Sequence, residues 1–276
     1  MAGTGPVLVV GSGLIGASVG LALRRCGVTV HLRDRDPAAL RAAVARAAGL
    51  GSAPPSPPAL VVVAVPPDHV ATVVAAALRE WPKAVVTDVS SVKVGPLTEL
   101  RRTGTDISRY VGSHPMAGSE RSGSQASTGD LFAGRAWAVT PHPGSIEVAV
   151  SAVQVLARLC GAEPVTMTPR AHDTAVARVS HLPHVLAVLA AARLHDAPHE
   201  DLRLSGQGLR DVTRIAGGDP ALWRQILSAN AREVVGLLTE VRADLDGLIM
   251  QLGSDGPAVD GLLHRGLAGT RALLRG

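Results

Sequence analysis

At 276 residues and 46% hydrophobic composition, the chain has enough apolar material for one large packed domain or two modest ones, which excludes a disordered protein. The formal net charge is +4, yet the arginines are scattered, with no basic run and no interleaved aromatics, so no nucleic-acid partner is expected. All but two of the 27 basic residues are Arg, the exceptions being Lys83 and Lys93, a bias that reads as genomic base composition more than function.

Cys26 and Cys160 are far apart in sequence and form no CxxC or Cys/His metal spacing. Both read as small buried hydrophobes in a reducing compartment, and no metal is expected. The first apolar run, from Val7, lacks a basic segment before it and ends at a glycine loop, unlike a signal peptide. The longest later apolar stretch, residues 185–192, is too short to cross a bilayer, so a cytoplasmic protein with no membrane partner is expected.

In chain order, β-branched runs at 7–10, 28–33, 60–65, 84–88, 110–112, 136–140 and 164–167 alternate with Ala/Leu/Arg segments of helical period. That is the pattern of a parallel sheet covered by helices. Residues 52–58 hold Pro54, Pro55, Pro57 and Pro58 and must be a loop. After Pro169 the strand signals stop, and amphipathic segments run over 171–194, 202–215, 220–252 and 257–274. Pro183 predicts a kink in the first, and Asp219 before Pro220 predicts a capped helix start. The fold class expected is α/β plus all-α: a dinucleotide-binding domain over 1–168 and a helical domain over 169–276.

The first strand runs into Gly11, Gly13, Leu14, Ile15 and Gly16, a GxGxxG match between strand and amphipathic helix. Gly11 permits the tight turn, Gly13 lets a pyrophosphate approach the helix N-terminus, and Gly16 lets the helix pack on the strand. The second strand ends at Asp34, where a carboxylate would accept hydrogen bonds from the adenosine ribose. Arg33 and Arg35 flank it and would suit a 2′-phosphate, so the charges oppose one another; Asp34 favours NAD over NADP. The third strand ends in Val65 and Pro66, where backbone lies near a cofactor in an open sheet.

His114 follows another predicted strand and would sit at the same sheet edge. A neutral imidazole there can take a hydroxyl proton as hydride leaves, although a loop histidine ordering its own turn is the ordinary alternative. Ser90, Ser91, Val92 and Lys93 follow Asp88 at the end of the fourth strand; Ser91 would hold nicotinamide or substrate, or cap a helix. In the helical half, His181 and His184 flank Pro183, and satisfied core histidines are the commoner fate of such residues. Arg210 and Arg214 share a helix face beside Asp211; one would clamp a carboxylate, or both make surface ion pairs.

Taken together, GxGLIG, DVSSVK, GSHPMAGSE, SHLPH and DVTRIAGGDPxLW resemble the prephenate dehydrogenase family, in order and over nearly the whole chain. The resemblance implies oxidative decarboxylation of prephenate to 4-hydroxyphenylpyruvate and CO2 with NAD, on the route to tyrosine. It implies that His114 takes the ring hydroxyl proton, with Ser91 beside the hydroxyl and nicotinamide. It assigns Arg214 to the ring carboxylate, His181 to the substrate pocket, and Trp223 to a position reaching the pocket from the partner subunit. Ser90 departs from the glycine common in the family's DVGSVK form, which bears on the turn geometry there.

Arogenate and 4-amino-4-deoxyprephenate are alternative substrates of the same class. A dinucleotide-sensing regulator that contacts nucleic acid is the alternative of a different class; it predicts a DNA-reading element, and none is visible in the sequence. Homodimerisation through the helical domain is expected, because its apolar helices exceed what about a hundred residues bury alone.

Overall fold

The computed structural model describes residues 5–117, 123–252 and 257–275. The end of the GSHPMAGSE motif lies outside them.

Four short strands, β1 (Val7–Val10), β2 (Val30–Arg33), β3 (Leu60–Val63) and β4 (Val85–Asp88), form an all-parallel sheet in the order β2-β1-β3-β4. They alternate with α1 (Leu14–Arg25), α2 (Pro37–Ala45) and α3 (Pro67–Glu80), and α4 (Val94–Arg102) follows. The strands read as unbroken apolar runs because helices cover both faces of the sheet. Successive side chains alternate between the faces: Val7 and Val9 join a core with Val19 of α1, while Leu8 packs in a second core with Val70 and Val74 of α3.

Tyr110 pairs in parallel with Val86 and leads the chain into β5 (Gly112–Pro115). This strand opens a second sheet in which β6 (Ala136–Thr140) lies antiparallel to it and β7 (Glu163–Thr166) parallel to β6, with α5 (Glu147–Leu159) between them in sequence. The strand expected at 110–112 therefore forms later in the chain. His114 lies within it, opposite Ala138, instead of after it. The pairing with β6 decides this, and no local pattern in residues 110–115 announces that partner.

In the helical half, α6 (Pro169–Val176), a π-helical turn (Ala177–His181) and α7 (Leu182–Ala192) form one continuous helix. Pro183 has no N–H and its ring crowds the carbonyl a turn earlier; the wider π turn just before it absorbs both effects. The helix Pro169–Ala192 spans 24 residues and by length and composition alone is apolar enough to cross a membrane. That corrects the expectation drawn from residues 185–192 alone. Its buried positions include His172, Asp173, His181 and His184, with hydrogen-bond partners within the protein for the first three, as in a packed helix.

The helix expected over 202–215 is broken into α8 (His199–Arg203), α9 (Gln207–Thr213) and a 3-10 turn (Arg214–Gly217), with Gly206 extended ahead of α9. The helix expected over 220–252 divides into α10 (Pro220–Ala229) and α11 (Ala231–Gln251) at Asn230, and α12 (Pro257–Leu273) ends the chain. Asp219 caps α10 by accepting the N–H of Ala221 at 2.9 Å. By contact density, Met1–Asn230 is one compact unit and Ala231–Gly276 a second, in which α11 and α12 pair and Arg265 bonds Asp244 at 2.6 Å.

Cys160 is buried as expected, but Cys26 is exposed. It follows the last turn of α1, where its thiol donates to the Leu159 carbonyl at 3.4 Å.

Candidate active site

The glycine loop joins β1 to α1, and its three glycines meet three different surroundings. Gly11 has φ +99°, and a Cβ there would stand 2.3 Å from the Ala64 carbonyl oxygen and 3.3 Å from Val65 Cγ1. At Gly16 a Cβ would stand 1.9 Å from the Gly11 oxygen. Gly13, by contrast, faces open space, and it caps α1 with no side chain occupying the helix N-terminus. The N–H groups of the first turn, which begins with Leu14 and Ile15, are thus available to an anion, so these residues fit a dinucleotide pyrophosphate. Pro66 follows Val65 directly and caps α3.

Asp34 is tied to the same loop: one carboxylate oxygen accepts the N–H of Ser12 at 2.6 Å and its hydroxyl at 2.7 Å, and the other accepts Asp36 N–H at 2.9 Å. Burial pushes its pKa up, but these hydrogen bonds and the Arg35 charge outweigh it and hold the carboxyl below its ordinary value. Arg33 is committed elsewhere, in a two-pronged pair with Glu80 at 2.7 and 2.8 Å. Arg35 reaches His69 at 3.4 Å. A cavity of about 140 Å³ is lined by Arg33, Asp34, Leu40, Gly51 and Ser52 among others.

At the neighbouring strand end, β4 and β5 are locked by side chains. Ser113 Oγ donates to the Asp88 carbonyl at 2.8 Å and receives the Thr87 hydroxyl at 3.0 Å. Asp88 takes the buried Lys93 ammonium and Ser90 N–H on one oxygen and the Tyr110 hydroxyl at 2.8 Å on the other. Ser90 keeps a negative φ, since Ala47 alone among described non-glycine residues has a positive one, so this turn requires no glycine. Ser91 is partly exposed in the same turn and makes no hydrogen bond to His114.

His114, partly exposed, lies one position beyond Ser113 at this carboxyl edge, and its Nδ1 is 2.9 Å from His172 Nε2. His172 Nδ1 is in turn 2.7 Å from Asp173 Oδ1. The pKa of His114 falls well below 6.5, through burial first and then the nearby His172, Lys93 and His181 charges. An imidazole so held is neutral and can accept a proton.

Asn230 links this group to the rest of the helical cluster. Its amide donates to the Asp173 carbonyl at 2.8 Å and to His181 Nδ1 at 3.2 Å. Trp223, in the first turn of α10, stacks on His184 with ring centroids 3.4 Å apart and meets His181 edge-on at 6.2 Å. Within the single chain it packs against these two histidines. The 3-10 turn that packs on α7 delivers the start of α10 directly onto His184. Arg214 opens that turn, exposed and one residue beyond the end of α9, so it and Arg210 do not share one continuous helix.

His172, Asp173 and Asn230 were not singled out in the sequence. A signal existed for the helix: Asp173, Ala177, His181 and His184 recur at helical spacing on the buried side, so polar residues occupy an apolar stripe. Nothing local marked Asn230.

The nucleotide-binding domain of prephenate dehydrogenase matches residues 19–166, and the prephenate dehydrogenase dimerization domain matches residues 168–262. The chain belongs to the prephenate dehydrogenase family. Its members are NAD-dependent oxidoreductases, so the chain is an enzyme with a Rossmann-like nucleotide-binding part followed by a helical part. It is 42% identical to a probable prephenate dehydrogenase of Streptomyces niveus over 246 residues, 89% of this chain and 68% of that protein. Among solved structures it resembles prephenate dehydrogenase from Aquifex aeolicus in complex with hydroxyphenyl propionate and NAD+, with TM-score 0.85, 27% identity and coverage of 98% and 99% of the two chains. It also resembles arogenate dehydrogenase from Synechocystis, with TM-score 0.77, 25% identity and coverage of 98% and 99%. The family thus spans more than one cyclohexadienyl substrate.

Proposed function

We propose that this enzyme is a prephenate dehydrogenase, converting prephenate to 4-hydroxyphenylpyruvate and CO2 with NAD in tyrosine biosynthesis. The neutral, hydrogen-bonded His114 beside the carboxyl end of β4 carries the reading. It is a proton acceptor where a dinucleotide sheet does its chemistry.

Gly11, Gly13 and Gly16 shape the pyrophosphate cradle, and the N–H groups of the first turn, at Leu14 and Ile15, face the pyrophosphate. Asp34 holds the adenosine ribose, and Val65 and Pro66 line the cofactor edge. NAD is the cofactor: Asp34 repels a 2′-phosphate, and Glu80 occupies Arg33, one of the two adjacent arginines that would otherwise pair with it. When bound, NAD supplies the hydride acceptor.

The ring hydroxyl gives its proton to His114 as hydride departs from the same carbon. Loss of the ring carboxylate as CO2 then makes the ring aromatic, so the protein mainly orients substrate and manages one proton. Ser91 contacts the hydroxyl, Arg214 clamps the ring carboxylate in its planar fork, and His181 and Trp223 shape the pocket. The proton returns to the phenolate oxygen after CO2 has left, which restores neutral His114.

The working form is a cytoplasmic homodimer, with residues 1–168 as the dinucleotide domain and 169–276 as the substrate and dimerisation domain. The match to a dimerization domain supports it, as do apolar side chains such as Val235, Ile249, Met250 and Leu263, which are largely exposed in the single chain. A monomeric mass by sedimentation at micromolar concentration would remove the dimer.

The reaction is tested by initial rates at the reduced-nicotinamide absorbance with NAD or NADP against prephenate, arogenate and 4-amino-4-deoxyprephenate. Fastest turnover of prephenate with NAD is expected; preference for another cyclohexadiene replaces the substrate. His114→Asn should lower kcat by about 10²-fold or more with NAD affinity unchanged. Unchanged turnover rejects His114 as the proton acceptor.

A further inference from the structure

His114, His172 and Asp173 form a line of hydrogen bonds whose proton directions follow from its far end. Asp173 Oδ1 accepts Lys93 N–H at 2.9 Å and Oδ2 accepts Val94 N–H at 2.8 Å, in addition to His172. A carboxylate that already receives two backbone donors acts as an acceptor towards the ring as well, so His172 donates from Nδ1. Burial holds His172 neutral, because it lowers the pKa more than Asp173 raises it. His172 Nε2 therefore carries a lone pair and accepts, which makes His114 the donor from Nδ1. In neutral His114 the unprotonated nitrogen is then Nε2, on the far side of the ring from His172.

We propose that His172, oriented by Asp173, is the positioning residue that fixes His114 in its Nδ1-protonated tautomer and presents the Nε2 lone pair to the substrate hydroxyl. This rests on His114 as proton acceptor. The tautomer matters because an imidazole protonated on the nitrogen facing the hydroxyl has no lone pair to receive a proton. In the step itself the hydroxyl O–H bond breaks, an Nε2–H bond forms, and the oxygen keeps the electron pair. The new imidazolium charge lies at one end of a chain that ends in the Asp173 carboxylate, which stabilises it. Lys93 and His181 also face the pair and oppose that charge, whereas Asp88 and Asp173 favour it on His172.

Asp173 does two things at once. Its carboxylate oxygens accept the backbone N–H groups of Lys93 and Val94 and so tie the turn after Ser91 to α6, so the same carboxylate sets the imidazole line and the strand end beside it.

The test uses the full-length protein labelled with 15N-histidine, with His114→Asn assigning the His114 signals. The wild type should show His114 protonated at Nδ1, and His172→Leu should move it towards the Nε2–H form. In the same variant kcat should fall about 10²-fold, with KM and NAD affinity within about threefold of wild type. His172→Gln, whose side-chain oxygen reaches towards the place of Nε2, should recover about tenfold over His172→Leu. A wild-type His114 protonated at Nε2 overturns the proposal, as does a His172→Leu variant whose kcat stays within about threefold. If His172→Leu fails to fold, the wild-type tautomer and His172→Gln decide the matter. Full turnover in His114→Asn overturns the acceptor reading instead, and the tautomer signals separate that failure from failure of the line.

Discussion

Lys93 and Asp88 form a fully buried ion pair at the junction of the two sheets, with the ammonium also donating to the Ser113 carbonyl at 2.7 Å. Burial lowers the Lys93 pKa while Asp88 pulls it back, and burial beside Asp88 raises the Tyr110 pKa well above 10, which keeps its hydroxyl a donor. Removing one partner leaves the other charge buried and unmatched. Asp88→Asn should cost about 3–5 kcal/mol in urea unfolding, and the double change Asp88→Asn with Lys93→Met should cost less than Asp88→Asn alone. A double-variant cost equal to the sum of the costs of Asp88→Asn and Lys93→Met alone would show that the pair is not coupled.

The glycine loop predicts a contrast between two neighbouring glycines. Gly16→Ala drives a Cβ to 1.9 Å from a backbone oxygen that cannot yield cheaply, so a loss of about 1–3 kcal/mol in stability is expected. Gly13→Ala meets nothing within 4 Å, so its thermal midpoint should stay near wild type while NAD binding weakens, because the new methyl occupies the approach of the pyrophosphate. Calorimetric unfolding and NAD titration read the two effects separately. Intact NAD affinity in Gly13→Ala would move the cofactor away from this helix N-terminus.

Asp34 offers a second handle on the cofactor. Replacing it with Ala removes an ionised acceptor, and hydrogen bonds to charged groups contribute about 1.5–3 kcal/mol, so NAD should bind at least tenfold more weakly. NADP should lose less, since a repulsive charge goes with the acceptor. Equal losses for both cofactors would place Asp34 in loop support only, through its bonds to Ser12.

The buried histidines set an acid limit. His181 is pushed from 6.5 down to about 4, chiefly by burial, and His114, His172 and His184 are also lowered, each with burial as the largest cause. Between these limits the unfolded chain binds more protons than the folded one, so the contribution is complete above about pH 6.5 and is lost as pH falls towards 4. The urea midpoint should therefore be lower at pH 5 than at pH 7.5. His181→Gln, which keeps a polar partner for Asn230, should show a shallower fall. A midpoint that does not move over that range would mean these imidazoles are not held neutral.

The sequence by itself determined the parts whose physics is local. Val7–Val10 followed by Gly11, Gly13 and Gly16 could only be a strand, a tight turn and a closely packed helix, and the second strand was bound to end near Asp34. The change from β-branched runs to helical spacing after Pro169 likewise announced α/β followed by all-α. His114 was legible as a polar residue at a strand end, but its place inside β5 depended on β6, a partner more than twenty residues on. Asn230 broke an otherwise continuous helical pattern because its amide is held by Asp173 and His181, and Trp223 turned onto His184 because α10 starts where the 3-10 turn packs on α7. Those outcomes came from contacts between distant segments. Periodicity and capping record only what a residue's near neighbours require, whereas the line from His114 through His172 to Asp173 exists only once a strand and a helix are folded together.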